Sequence, residues 1–273
     1  MASSPISPSA RERHIDRGGA SVQTAGVDQG VWSQRASDVR FEWGPVGARH
    51  VGSSGVVVVV DVLSFTTSVS VAVERGTAVY PAPWGEARAD ALAREVDAVV
   101  AVGRGQVSEQ APWSLSPAAL RAAPPPSRLV LPSPNGSAIA AAASGLVIAA
   151  CLRNATAAAR WVAAQRPDGQ TVTVIAAGER WPDGSLRPAL EDLLGAGAVL
   201  HELRDRGCGS ESPEATASRS AYESTTSVAD AVRRCGSALE LIDRGFGADV
   251  DVALEIDASS AVPVLQDRAF QQV

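Results

Sequence analysis

Hydrophobic residues cluster most tightly at Val56–Val60, five valines in a row. β-branched side chains favour strands, and a run without alternation fits a strand buried on both faces. The run stops at Asp61. Ser64, Thr66 and Thr67 follow, and then a helix-like stretch over 67–75 that Gly76 ends. Val39–Trp43 alternates like a half-buried strand and is closed by Gly44 and Pro45. Further strands are predicted at 77–82, 97–102, 128–131, 146–151 and 171–176. Helices are predicted at 85–96, 138–143, 155–165 and 189–206. A proline- and serine-containing connection spans 106–127, and 177–188 reads as a loop. Beyond 207 the pattern predicts one or two helices and a final extended piece near 261–264, with a polar loop or insert over 210–226. Alternation of strand and helix implies an α/β fold, a largely parallel sheet covered by helices. Residues 1–30, rich in Ser, Gly and Ala, are expected to be a disordered tail that includes His14. Residues 31–273 are expected to form a single domain.

Charge narrows the partners. The chain has 273 residues and a formal net charge of −6. A nucleic-acid binder normally presents a basic face, so nucleic acid is not an expected partner. All 24 basic residues are arginines, which a GC-rich genome explains. Anion recognition must then use guanidinium groups, backbone amides or hydroxyls. Cys151, Cys208 and Cys235 are too few and too scattered for a disulfide framework or a zinc site. No signal peptide and no membrane-spanning run is evident, so a cytoplasmic protein is expected.

Candidate chemistry gathers where strands end. Polar clusters follow four predicted strands: 61–67, 133–137, 153–154 and 178–192. If the strands run parallel, these clusters share one sheet edge, where open α/β folds bind ligands. Asp61 reads either as a ligand or metal contact, or as a helix cap or an acid paired with arginine. Thr66 and Thr67 read as helix caps or as phosphate donors at a helix N-terminus. Asn135, Gly136 and Ser137 form a turn between strand and helix. Arg153 is either an anion contact or a surface arginine, and Asn154 either a ligand contact or a cap. Glu191 and Asp192 open a helix, where the dipole alone favours acids. Oxygen donors of this kind suit Mg²⁺, which takes one or two carboxylates, water and substrate phosphate. A Walker-type phosphate loop, a nucleophile elbow and an Arg-capped cysteine are all missing from the sequence. Asp249 and Asp251 imitate an aspartyl-nucleophile motif but lack its preceding hydrophobic strand.

The chain resembles the 2-phosphosulfolactate phosphatases over about residues 40–270. The matching residues are Asp61-Val62-Leu63 with Thr66-Thr67, the Pro81 region, Ser116-Pro117, Asn135-Gly136-Ser137, Arg153-Asn154, Ala177-Gly178, Glu191-Asp192 with Ala196-Gly197, and Val262-Pro263. The resemblance implies a three-layer α/β/α fold and Mg²⁺-dependent hydrolysis of 2-phospho-3-sulfolactate to sulfolactate and phosphate. On that reading Asp61 is catalytic, and Asp61, Glu191 and Asp192 hold the metal. Thr66, Thr67, Arg104, Asn135, Gly136, Ser137, Arg153 and Asn154 bind substrate. The expected partners are a small anionic phosphorylated substrate and, in a homodimer, a second copy of the chain. Four positions depart from the family pattern. Ser64 stands where the family has arginine and Leu115 where it has asparagine. Gly103-Arg104 lacks the intervening glutamate, and Ser133-Pro134 replaces two threonines. The alternatives are therefore a phosphatase for a different phosphorylated carboxylic acid, or a non-catalytic anion-binding relative.

Overall fold

The computed structural model describes residues 1, 32–51, 55–167 and 169–273. Apart from Met1, the tail expected over 1–30 lies outside the described residues, and so does His14. The first half runs β1 (Val39–Trp43), α1 (Gly44–Val51), β2 (Val56–Val60), α2 (Phe65–Glu74), β3 (Ala78–Pro83), α3 (Glu86–Val96), β4 (Val99–Val100), α4 (Pro117–Ala122), β5 (Arg128–Ser133) and α5 (Gly136–Ala142). The second half runs β6 (Leu146–Ala150), α6 (Ala155–Gln165), β7 (Val172–Ala176), β8 (Glu179–Arg180), β9 (Leu186–Arg187) and α7 (Leu190–Asp205). After these come α8 (Pro213–Ser224), α9 (Val228–Arg233), α10 (Gly236–Asp243), α11 (Gly247–Ala253), β10 (Pro263–Gln266) and β11 (Ala269–Gln272).

Among the described residues nine strands form one sheet, in the order β1-β7-β2-β6-β10-β11-β3-β5-β4. The first four pair in parallel, and so do β3, β5 and β4. Between them the β10–β11 hairpin is antiparallel to both neighbours. The sheet is therefore mostly parallel but divided into two blocks. Three successive reversals leave the blocks running in opposite senses.

Valine alternation in β2 explains the layers. Val56, Val58 and Val60 enter one core with α6 and α7, while Val57 and Val59 enter another with α1, α2 and α5. All five valines are at most 1% exposed. Burying each contributes on the order of 2 kcal/mol. Helices on both faces complete a three-layer α/β/α architecture. A third, smaller core joins α3 to β3, β4 and β5 through Ala82, Ala89, Ala93 and Val130.

Three local expectations need correction. Residues 210–226 contain the helix α8, capped by the Ser212 hydroxyl, which accepts from the Ala215 N–H. Its Ser218 packs where Gly197 of α7 leaves room for close contact. Polar composition hid this amphipathic helix. The expected loop 177–188 folds as the β8–β9 hairpin, and the region beyond 207 holds four helices among the described residues rather than one or two.

Candidate active site

The end of β2 is held by its own side chains. Thr66 Oγ1 accepts from the Asp61 N–H (2.9 Å) and donates to the Asp61 carbonyl (2.8 Å). Thr67 Oγ1 donates to the Val62 carbonyl (2.7 Å). This clasp turns the chain within four residues from strand to α2; the Leu63–Ser64 peptide bond inside it is cis. It also aims the Asp61 carboxylate. Oδ1 accepts from the Phe65 N–H (3.0 Å) and Oδ2 from the Gly136 N–H (2.9 Å). Gly136 opens α5, which lies against β2, β3 and β5 alike and so joins the two blocks.

Asp192 makes a second clamp. Its Oδ1 accepts from the Val62 N–H (2.7 Å) and its Oδ2 from the Gly178 N–H (2.8 Å). It thus ties the ends of β2 and β7 to the start of α7. Gly195, one turn on, permits the approach: a Cβ there would stand 2.6 Å from the Val62 side chain.

Two further acids complete the cluster. Glu179, in β8, accepts from the Asn135 side-chain amide (3.1 Å). Glu191 accepts from the Cys235 thiol (3.0 Å). Burial pushes the Asp61 carboxyl up to about 6, against the pull of its two N–H donors, and Glu191 adds repulsion. Burial, with Asp61 and Glu191 nearby, raises Glu179 to about 7. Burial and the same two acids hold Asp192 well above the usual carboxyl range. Cys235 is pushed to about 12, first by burial and then by Glu191, so it is a thiol and not a nucleophile.

Two of these acids line a cavity with two arginines. Asp61, Glu179 and Asn135 share a space of about 480 Å³ with Arg104 and with Arg244, which is paired to Glu240 on the same wall (3.1 Å). Arg104 Nε donates to Asp249 (3.0 Å), Nη2 donates to the Ser64 hydroxyl (2.7 Å), and the guanidinium lies 5.7 Å from the Phe246 ring centre. Asp249 is 1% exposed and also accepts from the Ser116 hydroxyl and the Ala118 N–H. The remaining Arg104 N–H groups have no protein partner among the described residues, so the fork is fixed and open to an anion.

A model of the 2-phosphosulpholactate phosphatase family matches residues 47–268. The chain belongs to the 2-phosphosulfolactate phosphatase family. A probable 2-phosphosulfolactate phosphatase of Thermus thermophilus is 30% identical over 230 residues, 82% of this chain and 93% of the relative. A 2-phosphosulfolactate phosphatase of Methanothermobacter thermautotrophicus is 32% identical over 139 residues, 51% of this chain and 56% of the relative.

Of the residues that the 2-phosphosulfolactate phosphatase pattern singled out, Asp61, Arg104, Asn135, Gly136, Glu191 and Asp192 come together. Thr66, Thr67 and Ser137 lie nearby, but each hydroxyl has spent its single hydrogen on a backbone carbonyl: Asp61, Val62 and Ser133 respectively. None can donate to a phosphate without breaking a buried bond. Arg153 and Asn154 stay outside the cluster. Arg153 is buried and bound to Ser70, Glu74 and Glu255. Asn154 accepts from the Cys151 N–H and spends both amide hydrogens on the Ala149 and Ala261 carbonyls. Both lock the loop after β6. Sequence reasoning passed over Glu179 as part of a loop, and set Asp249 aside as an imitation nucleophile when its partner lies 145 residues away.

The donor set is compatible with a hard cation. Glu179 and Glu191 each keep an oxygen with no hydrogen bond among the described residues, and four mutually repelling carboxylates favour a positive charge. No three acidic, His or Cys side chains among the described residues stand ready to enclose an ion. Asp61 and Asp192, both expected as metal ligands, each have both oxygens on backbone N–H groups, which leaves Glu179 and Glu191 as the acids with an unbonded oxygen.

Acid repulsion also sets a pH dependence. Each raised carboxyl destabilises the fold while ionised, and this cost fades as pH falls through its folded-state value. The window opens at the folded-state values, about 6 for Asp61 and about 7 for Glu179, and runs down to their ordinary values of 3.8 and 4.5. Metal-free protein should therefore melt at least about 5 °C higher at pH 5.5 than at pH 8. Below about pH 4 the acids held low by arginine, such as Glu255, reverse the trend. A flat or falling melting temperature between pH 8 and pH 5.5 in calorimetry would remove the repulsion argument.

Proposed function

We propose that the chain is a Mg²⁺-dependent phosphomonoester hydrolase acting on 2-phospho-3-sulfolactate or a closely related phosphorylated 2-hydroxy acid. Support comes from one observation above the rest: two acids of the buried cluster, Asp61 and Glu179, line one cavity together with a fixed, half-free guanidinium, that of Arg104. The family membership points the same way. Glu179 and Glu191 would hold Mg²⁺, which supplies neutralisation of phosphate charge in such chemistry.

The remaining work falls to the chain. Arg104 receives the phosphate or the second acid group on its unpaired N–H groups. Asn135, with one amide hydrogen spent on Glu179, offers the other to a phosphate oxygen. Asp61 accepts the proton of the attacking water, its carboxylate aimed by the Phe65 and Gly136 N–H groups. Thr66, Thr67 and Asp192 hold the backbone that carries it.

Phosphate release from 2-phospho-3-sulfolactate and 2-phospholactate tests the reading. Release should need Mg²⁺, stop on chelation and return when the metal is restored. Saturable binding of these compounds with no release under any divalent cation would favour the anion-binding alternative and end the hydrolase reading. The Ser64 and Leu115 departures favour a substrate that differs from that of the named relatives.

A further inference from the structure

A second cavity, of about 350 Å³, adjoins the acid-lined one. It opens at the carboxyl ends of β3, β4 and β5. Trp84, Arg104 and Leu115 border both cavities, so a ligand can occupy the two together. The lining changes character across this boundary. One chamber carries Asp61, Glu179 and Asn135; the other is walled by Ala89, Val100, Val102 and Pro132, with the Gln106 amide beside Arg104 on the shared boundary. Its other charged group, Asp90, is exposed. Its floor is continuous with the small core under α3, to which Ala89 belongs and against which Val100 packs. Trp84 is 63% exposed, an indole at the mouth of both chambers with little of its surface covered.

We propose that this annex receives an apolar substituent, aryl or branched alkyl, of the substrate whose phosphate occupies the acid-lined chamber. The inference rests on the phosphatase reading and names the substrate class: a phosphorylated 2-hydroxy acid with a hydrocarbon side group. A sulfonate in the annex would leave its charge against valine, alanine and leucine, with Arg104 at the junction as its cationic partner. Hydrocarbon there gains from each wall, as in most small-molecule sites, where a few polar groups orient and apolar walls bind. Leu115 sits on the shared wall where the family pattern has asparagine. That exchange removes a donor from the boundary and adds apolar surface. Arg104, fixed by Asp249 and Ser64, then marks the point where the anionic and apolar parts of the ligand meet.

The test pairs turnover with binding. Phosphate release is measured on 2-phospho-3-phenyllactate, 2-phospho-3-sulfolactate and 2-phospholactate with Mg²⁺. Calorimetry measures binding of the non-hydrolysable phosphonate analogues of the same three acids. The phenyl analogue should bind at least about tenfold more tightly than either of the others. Val100→Trp, which fills the annex, and Leu115→Asn, which makes its wall polar, should each bring that ratio to within about threefold of one. Circular dichroism confirms that each variant is folded, and either folded variant suffices. Equal or weaker binding of the phenyl analogue to the unaltered chain overturns the annex, as does an unchanged ratio in a folded variant. Tight, selective binding of the phenyl analogue with no phosphate release from any compound supports the annex and overturns the phosphatase reading alone.

Discussion

Asp61→Asn should lower kcat for phosphate release by about a thousandfold while the protein stays folded. A positioned general base contributes roughly 10²- to 10⁴-fold. Asparagine keeps the shape of aspartate but cannot take a proton. Its effect on stability is mixed. The new amide offers one oxygen where the carboxylate offered two, so either the Phe65 N–H or the Gly136 N–H loses its acceptor. An unpaired buried donor costs about 1–3 kcal/mol. Against this, the variant no longer buries a charge beside Glu191. The two effects oppose each other, so the melting temperature at pH 8 should move little. Kinetics and calorimetry together give the result. Turnover within tenfold of the parent would remove Asp61 from the chemistry. A collapse in stability would show that its first role is to hold the β2 turn together.

Gly136→Ala is expected to lower both stability and turnover. An added Cβ would stand 2.3 Å from the Phe65 ring and 2.9 Å from Asp61 Oδ2. Neither neighbour can retreat easily. Phe65 is fully buried and set edge-on against Phe270, with ring centres 6.2 Å apart. Asp61 is fixed from both sides. The start of α5 must therefore withdraw, breaking the Gly136 N–H bond to Asp61. Overpacking costs about 1–3 kcal/mol and the lost bond to a carboxylate a similar amount. Urea unfolding should show a loss of about 2–5 kcal/mol, and phosphate release should fall at least as far as in Asp61→Asn. Phe65→Leu in the same chain makes room and should restore part of the stability but little activity. A Gly136→Ala protein with parental stability and turnover would show that the close approach of α5 to Asp61 is dispensable.

The layers were legible because their signal is local. Valines at 56–60, an acid, then hydroxyls and alanine-rich helices follow from strand and helix periodicity without knowledge of neighbours. The division of the sheet was not legible. It depends on residues 263–272 pairing with strands more than a hundred positions away, and 261–264 alone reads as a short extended piece. At the site, Asp61 stood out because it stops an apolar run, and Glu191 and Asp192 because two adjacent acids open a helix. Their separate tasks did not. Asp192 differs from Glu191 only in which backbone N–H groups lie within reach, a matter of tertiary geometry. Arg153 and Asn154 follow a buried strand just as Asp61 does, yet their hydrogen bonds run to Glu74, Glu255 and the 258–261 turn side of the molecule. Glu179 was missed because a two-residue strand leaves no periodicity to detect.

The position of the β10–β11 hairpin has a consequence for biosynthesis. As the chain leaves the ribosome, β6 and β3 are complete long before their shared neighbours exist. Each then presents a row of unsatisfied amides and carbonyls, the kind of template on which nascent chains stick together. The last hairpin seals both at once, so soluble yield should depend on chaperone capacity during translation more than on the strength of the finished fold.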